Sequence, residues 1–137
     1  MAHWLVKSEP DAWSWQQQVE AGTTGWDGVR NHQAASNLKA MQVGDRAFFY
    51  HSGAEKSIVG IVEVVRPYHP DPGDASGRFG MVDVRAVAAV PKPVTLAAVK
   101  ADPQLQHLAL VRQSRLSVMP IDDDAWQRLC ALGGVEA

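Results

Sequence analysis

The chain has 137 residues, 46% apolar and 20% charged, with a formal net charge of −2. That length fits a single domain with one sizeable core, so residues 1–137 are read as one unit. The charge excludes a general electrostatic pull toward DNA or RNA, and the lone cysteine, Cys130, excludes an internal disulfide and a cysteine-built zinc site.

In chain order, His3 to Val6 reads as a first strand, stopped by Pro10. Trp13 to Glu20 reads as a short helix ended by Ala21-Gly22. Asn31 to Met41 reads as a second helix, because Ala34, Ala35, Leu38 and Met41 fall at helical spacing and Asn31 is a good N-cap. Gly44-Asp45 makes a turn. Arg46 to His51 and Ile58 to Val65 are dense in aromatic and β-branched residues, and Gly53-Ala54-Glu55-Lys56 between them suits a hairpin.

Arg66 to Gly80 carries three prolines, three glycines and two aspartates, the composition of a loop, either a lid or a plain surface segment. Met81 to Val90 is a further strand, Thr95 to Lys100 a short helix, and Leu116-Ser117-Val118 a short strand. Asp122 to Leu132 is the last helix, with acidic residues in its first turn and Gly133-Gly134 after it. Strands interleaved with short helices give an α+β fold, and the pattern alone does not separate a barrel from an open sheet.

The densest chemistry lies in Gly25-Trp26-Asp27-Gly28-Val29-Arg30-Asn31, where two glycines let the backbone turn sharply beside an indole, a carboxylate, a guanidinium and an amide. Such a set can seat a planar, hydrogen-bonding ligand such as a nucleobase. Three further stretches join it: Trp4-Leu5-Val6-Lys7-Ser8-Glu9-Pro10 with Trp13-Ser14-Trp15, Gly44 to Ser52, and Arg115-Leu116-Ser117-Val118. Together, and in this order, they resemble the signature of the EVE domain family, from Trp4 to Trp126. The resemblance implies a PUA-like mixed β-barrel flanked by short helices. It also implies nucleic-acid binding, DNA or RNA, with recognition of a modified base rather than catalysis.

On that reading Trp26 and Tyr50 stack on the base. Glu9, Asn31 and Ser52 read its edges, with His51 an alternative hydrogen-bond donor or acceptor, while Lys7, Arg30 and Arg115 hold the backbone. Ser8 and Ser117 accompany them. Trp13 and Trp15 divide between packing and cleft wall, and Trp126 belongs to the core. Arg30 and Arg115 also have Asp27 and Asp45 as potential ion-pair partners.

An enzyme acting on a nucleotide or modified RNA is the rival, with Glu9, Asp27 and His51 as its acid–base groups. A small-molecule or protein-interaction module using the same pocket is the other. No P-loop, dinucleotide fingerprint or nucleophile elbow is present, and His3, His32, His51, His69 and His107 lack metal spacing. No catalytic residue, metal or cofactor is therefore expected. The chain also has no apolar run of membrane-span length and no basic-then-apolar leader, so a cytoplasmic protein without membrane contact is expected.

Overall fold

The computed structural model describes residues 1–135. Its framework is one mixed sheet of β1 (His3–Ser8), β2 (Thr23–Gly25), β3 (Arg46–His51), β4 (Ser57–Pro70), β5 (Gly80–Thr95) and β6 (Val118–Ile121), in the order β2-β5-β4-β3-β1-β6. β1 runs parallel to β3, with Trp4 opposite Ala47 and Ser8 opposite His51, and the other pairings are antiparallel. A parallel pair needs a long crossover. Here that crossover contains α1 (Trp15–Ala21), β2 and α2 (His32–Ala40), and it delivers the Trp26–Asn31 loop beside the C-terminal end of β1.

Local capping chemistry starts the helices. Ser14 caps α1 in a reciprocal box with Gln17, and the Asn31 side chain accepts from Ala34 N–H at 2.9 Å to start α2. Thr95 and Asp122 do the same for α3 (Leu96–Ala101) and α5 (Asp123–Gly133). α5 ends at Gly134, whose φ of 73° is the left-handed conformation that glycine takes without steric cost.

The core lies between the sheet and these helices. Phe48 stacks on Trp126 of α5 at 3.9 Å, and the buried Trp4 donates its indole N–H to Asp45 at 3.0 Å. Among the described residues, no helix is long and apolar enough to cross a membrane.

Four features depart from the sequence reading. The sheet is not closed into a barrel: its end strands β2 and β6 are three and four residues long and do not pair. Instead α2 packs against both β5 and β6, and Asn37 of α2 donates to the Val118 carbonyl of edge strand β6 at 2.7 Å.

The segment 66–80 is not one loop, because β4 continues to Pro70 and β5 begins at Gly80. Pro67 is tolerated because the register shifts between Arg66 and His69, which leaves it outside the ladder. The strand expected at 116–118 sits at Val118–Ile121, where the exposed Pro120 is accommodated on an edge. β2, a 3-10 turn at Pro103–Leu105 and α4 (Ala109–Arg112) are additions.

Candidate nucleobase cavity

The C-terminal end of β1, the turn before α1 and the loop from β2 into α2 enclose a cavity of about 600 Å³. That volume lies within the range of small-molecule sites. Of the residues expected in a site, Lys7, Ser8, Trp26, Arg30, Asn31 and Ser117 line it, together with Ala12, Trp13 and the rest of the stretch from Thr24 to Val29, Asp27 included.

Two indoles contribute to its wall. Trp26 is only 7% exposed and belongs to the core, set edge-on to Phe49 at 5.4 Å, with its backbone N–H on the Val82 carbonyl at 2.7 Å. The ring expected to stack on a base is thus also a core residue: the glycine loop turns it inward, and only part of it faces the cavity. Trp13 is half-buried, and its indole N–H donates to Gln18 Oε1 at 2.9 Å. Gln18 is fully buried and donates in turn to the Gly22 carbonyl at 3.1 Å, so the Trp13 ring is held from behind. Ser8 Oγ donates to the Trp13 carbonyl at 2.6 Å, which ties that turn to the end of β1.

The loop itself is pinned from across the fold. Asp71, 3% exposed just after β4, accepts from Gly28 N–H at 2.9 Å, from Arg30 Nη1 at 2.9 Å and from Gly73 N–H at 2.7 Å. The Gly28 N–H, followed by the Arg30 guanidinium, holds the Asp71 carboxyl below the ordinary carboxylate range against the opposing effect of burial. Gly28 has a φ of 78°, a left-handed turn that places its N–H on this carboxylate.

Arg30 therefore pairs with Asp71, and not with Asp27 or Asp45. Its guanidinium also lies 5.7 Å from the centre of the Phe79 ring. Asn31 spends its side-chain oxygen on the α2 cap, so its NH2 group is what remains for a ligand.

Five expected residues lie elsewhere. Glu9 is exposed and acts through its backbone, its carbonyl accepting from Ala12 and Trp13 N–H. Tyr50 is 2% exposed and is not a second wall of this cavity. The β1–β3 register sets it opposite Lys7, and with Ser52 it lines a separate cavity of about 220 Å³.

His51 is buried: Nε2 accepts from Trp15 N–H at 2.9 Å, which leaves the proton on Nδ1 to be donated to Glu55 at 2.8 Å. That arrangement anchors the start of α1. Arg115 is exposed on a neighbouring groove with Gln33 and Arg112, on the other side of Asn31. No local signal marks Asp71 as the clamp of the site, whereas the Ser14–Gln17 capping box does mark the turn that presents Trp13.

Comparison with known proteins gives a consistent set of relatives. The EVE domain family model matches residues 2–132. Thymocyte nuclear protein 1 of Homo sapiens is 30% identical over 96% of this chain and 73% of its own length. The solved structure of Rpa0253 from Rhodopseudomonas palustris is 54% identical with a TM-score of 0.92, covering 98% of this chain and 94% of that one. Human THYN1 protein in complex with 5-methylcytosine containing DNA is 30% identical with a TM-score of 0.90, covering 100% of both chains.

Proposed function

The chain belongs to the EVE domain family, and we propose that it is a nucleic-acid-binding module that takes a base, preferentially a modified one, into the cavity between Trp13 and Trp26. The observation that carries this reading is the cavity itself: two indoles with Asp27 and Asn31 on one glycine-turned rim. The human relative crystallised with 5-methylcytosine containing DNA supports the same ligand class, and makes DNA carrying that base the first candidate here.

Extruding a base costs a few kcal/mol, and less when it is unpaired or modified. Stacking on an aromatic face contributes about 1–3 kcal/mol and offsets that cost. Asp27, in place of Glu9, is positioned to accept from an exocyclic amino group, as carboxylates do with cytosine. The apolar Ala12 on the cavity wall suits a methyl substituent. Binding is favoured over catalysis because Asp27 alone of the three acid–base candidates reaches the cavity, Glu9 and His51 standing outside it. Residues 1–137 act as a single module on this reading.

The test is equilibrium binding to matched oligonucleotides, single- and double-stranded, that differ at one cytosine: unmodified, 5-methyl or 5-hydroxymethyl. Tighter binding of a modified form, reduced by Trp13→Ala, is expected. Equal affinity for all three that is indifferent to Trp13→Ala, or no binding to any of them at low salt, would overturn the proposal.

A further inference from the structure

The second cavity, of about 220 Å³, has a composition unlike the first. Lys7, Lys56 and Lys100 line it with the side of Tyr50, and among the described residues lining it there is no carboxylate. None of the three lysines takes part in an ion pair among the described residues, and neighbouring Glu55 is engaged by His51 at 2.8 Å. Three ammonium groups on one concavity repel one another unless an anion joins them. Lys7 Nζ sits 5.6 Å from the centre of the Tyr50 ring and donates to the Ser114 carbonyl at 3.0 Å, so one of the three is already held in place. Burial lowers the Lys7 pKa, so a nearby anion would favour its charged form.

Lys56 adds an independent observation. It is the one non-glycine residue with positive φ among those described, at 46°. It closes the turn between β3 and β4, and its carbonyl accepts from Leu96 N–H at 2.8 Å. Glycine takes this conformation without steric cost, whereas a lysine there is strained. Strain of this kind persists where the surrounding structure holds it, and here the bond from Leu96 N–H fixes the turn that sets this cation on the cavity rim.

Lys7 lines both cavities. We infer that the second cavity is a phosphate site, in which Lys7, Lys56 and Lys100 hold a backbone phosphodiester adjacent to the nucleotide whose base enters the first. This rests on the base-binding reading above. A strand held at both points is fixed in register: phosphate contacts position the chain, while the first cavity reads the base.

The test measures affinity against salt concentration for a single-stranded oligonucleotide carrying one 5-methylcytosine. Lys56→Gln and Lys100→Gln are each expected to flatten the log–log slope by about 0.7, the contribution of one phosphate contact, with the ratio of modified to unmodified affinity unchanged. Lys56→Arg keeps the slope. Lys56→Gly flattens it while raising the melting temperature, a pairing that a merely structural lysine would not produce.

Replacing the phosphates flanking the modified base with uncharged methylphosphonates should weaken the native protein and leave the Lys56→Gln/Lys100→Gln variant with little further loss. Native slopes in both variants, or equal methylphosphonate losses in native and variant proteins, overturn the phosphate site and leave the base cavity standing. Absence of binding by the native protein overturns both readings together.

Discussion

Asp71 holds Arg30 at 2.9 Å across 41 residues of sequence, and the same carboxylate takes the N–H of Gly28. One side chain just after β4 thereby sets the curvature of the loop that forms one rim of the proposed base cavity.

Asp71→Ala is expected to cost about 1.5–3 kcal/mol, the range for hydrogen bonds to a charged acceptor, here a buried carboxylate. The loss falls mainly on the N–H groups of Gly28 and Gly73. The Arg30 side chain is 41% exposed and regains water, so its charge adds little. Denaturant unfolding measures the total, and amide exchange at Gly28 should accelerate more than exchange in the β3 core. Unchanged Gly28 exchange would show that the loop holds its shape without Asp71.

Acid should act through the same loop. The Asp71 carboxyl is held down first by Gly28 N–H, and Asp74 is held at about 2 by the Ser76 hydroxyl and Phe79 N–H. Both folded values lie below the ordinary 3.8, so their stabilisation is present above that value and is lost as pH falls through the folded ones. Stability should therefore drop between about pH 4 and pH 2. The Asp71→Asn/Asp74→Asn variant should be less stable at neutral pH and show a shallower drop. Some slope remains, because Arg128 depresses Asp102 and His107 depresses Asp122 elsewhere in the fold. An unaltered acid slope in the double variant would exclude this loop as the source.

The two cavity indoles should separate stability from binding. Trp26→Ala removes a core ring set against Phe49 and should cost about 3–5 kcal/mol of stability, which obscures any loss of affinity. Trp13→Ala removes a half-buried ring and leaves the buried Gln18 Oε1 without its donor, at about 1–3 kcal/mol. Its affinity loss for a modified-base oligonucleotide should be about 1–3 kcal/mol. Melting temperature and titration on both variants make the comparison. Full affinity in a folded Trp13→Ala protein would remove Trp13 from the cavity wall.

Gly60→Ala should be strongly destabilising although alanine suits a strand, because a Cβ there would run into the Trp15 ring. Over-packing of this kind costs about 1–3 kcal/mol. A double-mutant cycle with Trp15→Leu checks the cause: the ring collision predicts a much smaller cost of Gly60→Ala in the Trp15→Leu background. Equal costs in both backgrounds would place the effect in the backbone.

The elements that could be read from the sequence are those held by chemistry within a few residues. Asn31, Thr95 and Asp122 stand at the helix starts expected of them, and the dense apolar runs at His3–Val6 and Arg46–His51 are strands. Side-chain capping and hydrophobic periodicity act over one turn or one pleat, so they survive translation into sequence. The glycine-flanked run from Trp26 to Asn31 was visible for the same reason, as a turn crowded with binding chemistry.

Partners distant in sequence decided the rest. Pro67 and Pro70 argue for a loop locally, but a shifted register against β5 lets β4 pass Pro67 and end at Pro70, opposite Gly80. Whether the sheet closes depended on its two short end strands, which do not pair, and on α2, which packs against β5 and β6. The parallel register of β1 on β3 placed Tyr50 opposite Lys7 and assigned it with Ser52 to a second cavity, while Trp13 came to share the first with Trp26. Arg30 found its carboxylate in Asp71, a residue of the loop-like stretch that has no local mark of importance. Residue type records what a side chain is able to do. Which cavity it faces and which charge it meets depend on ladder register and chain crossover, and these are fixed only when the whole core packs.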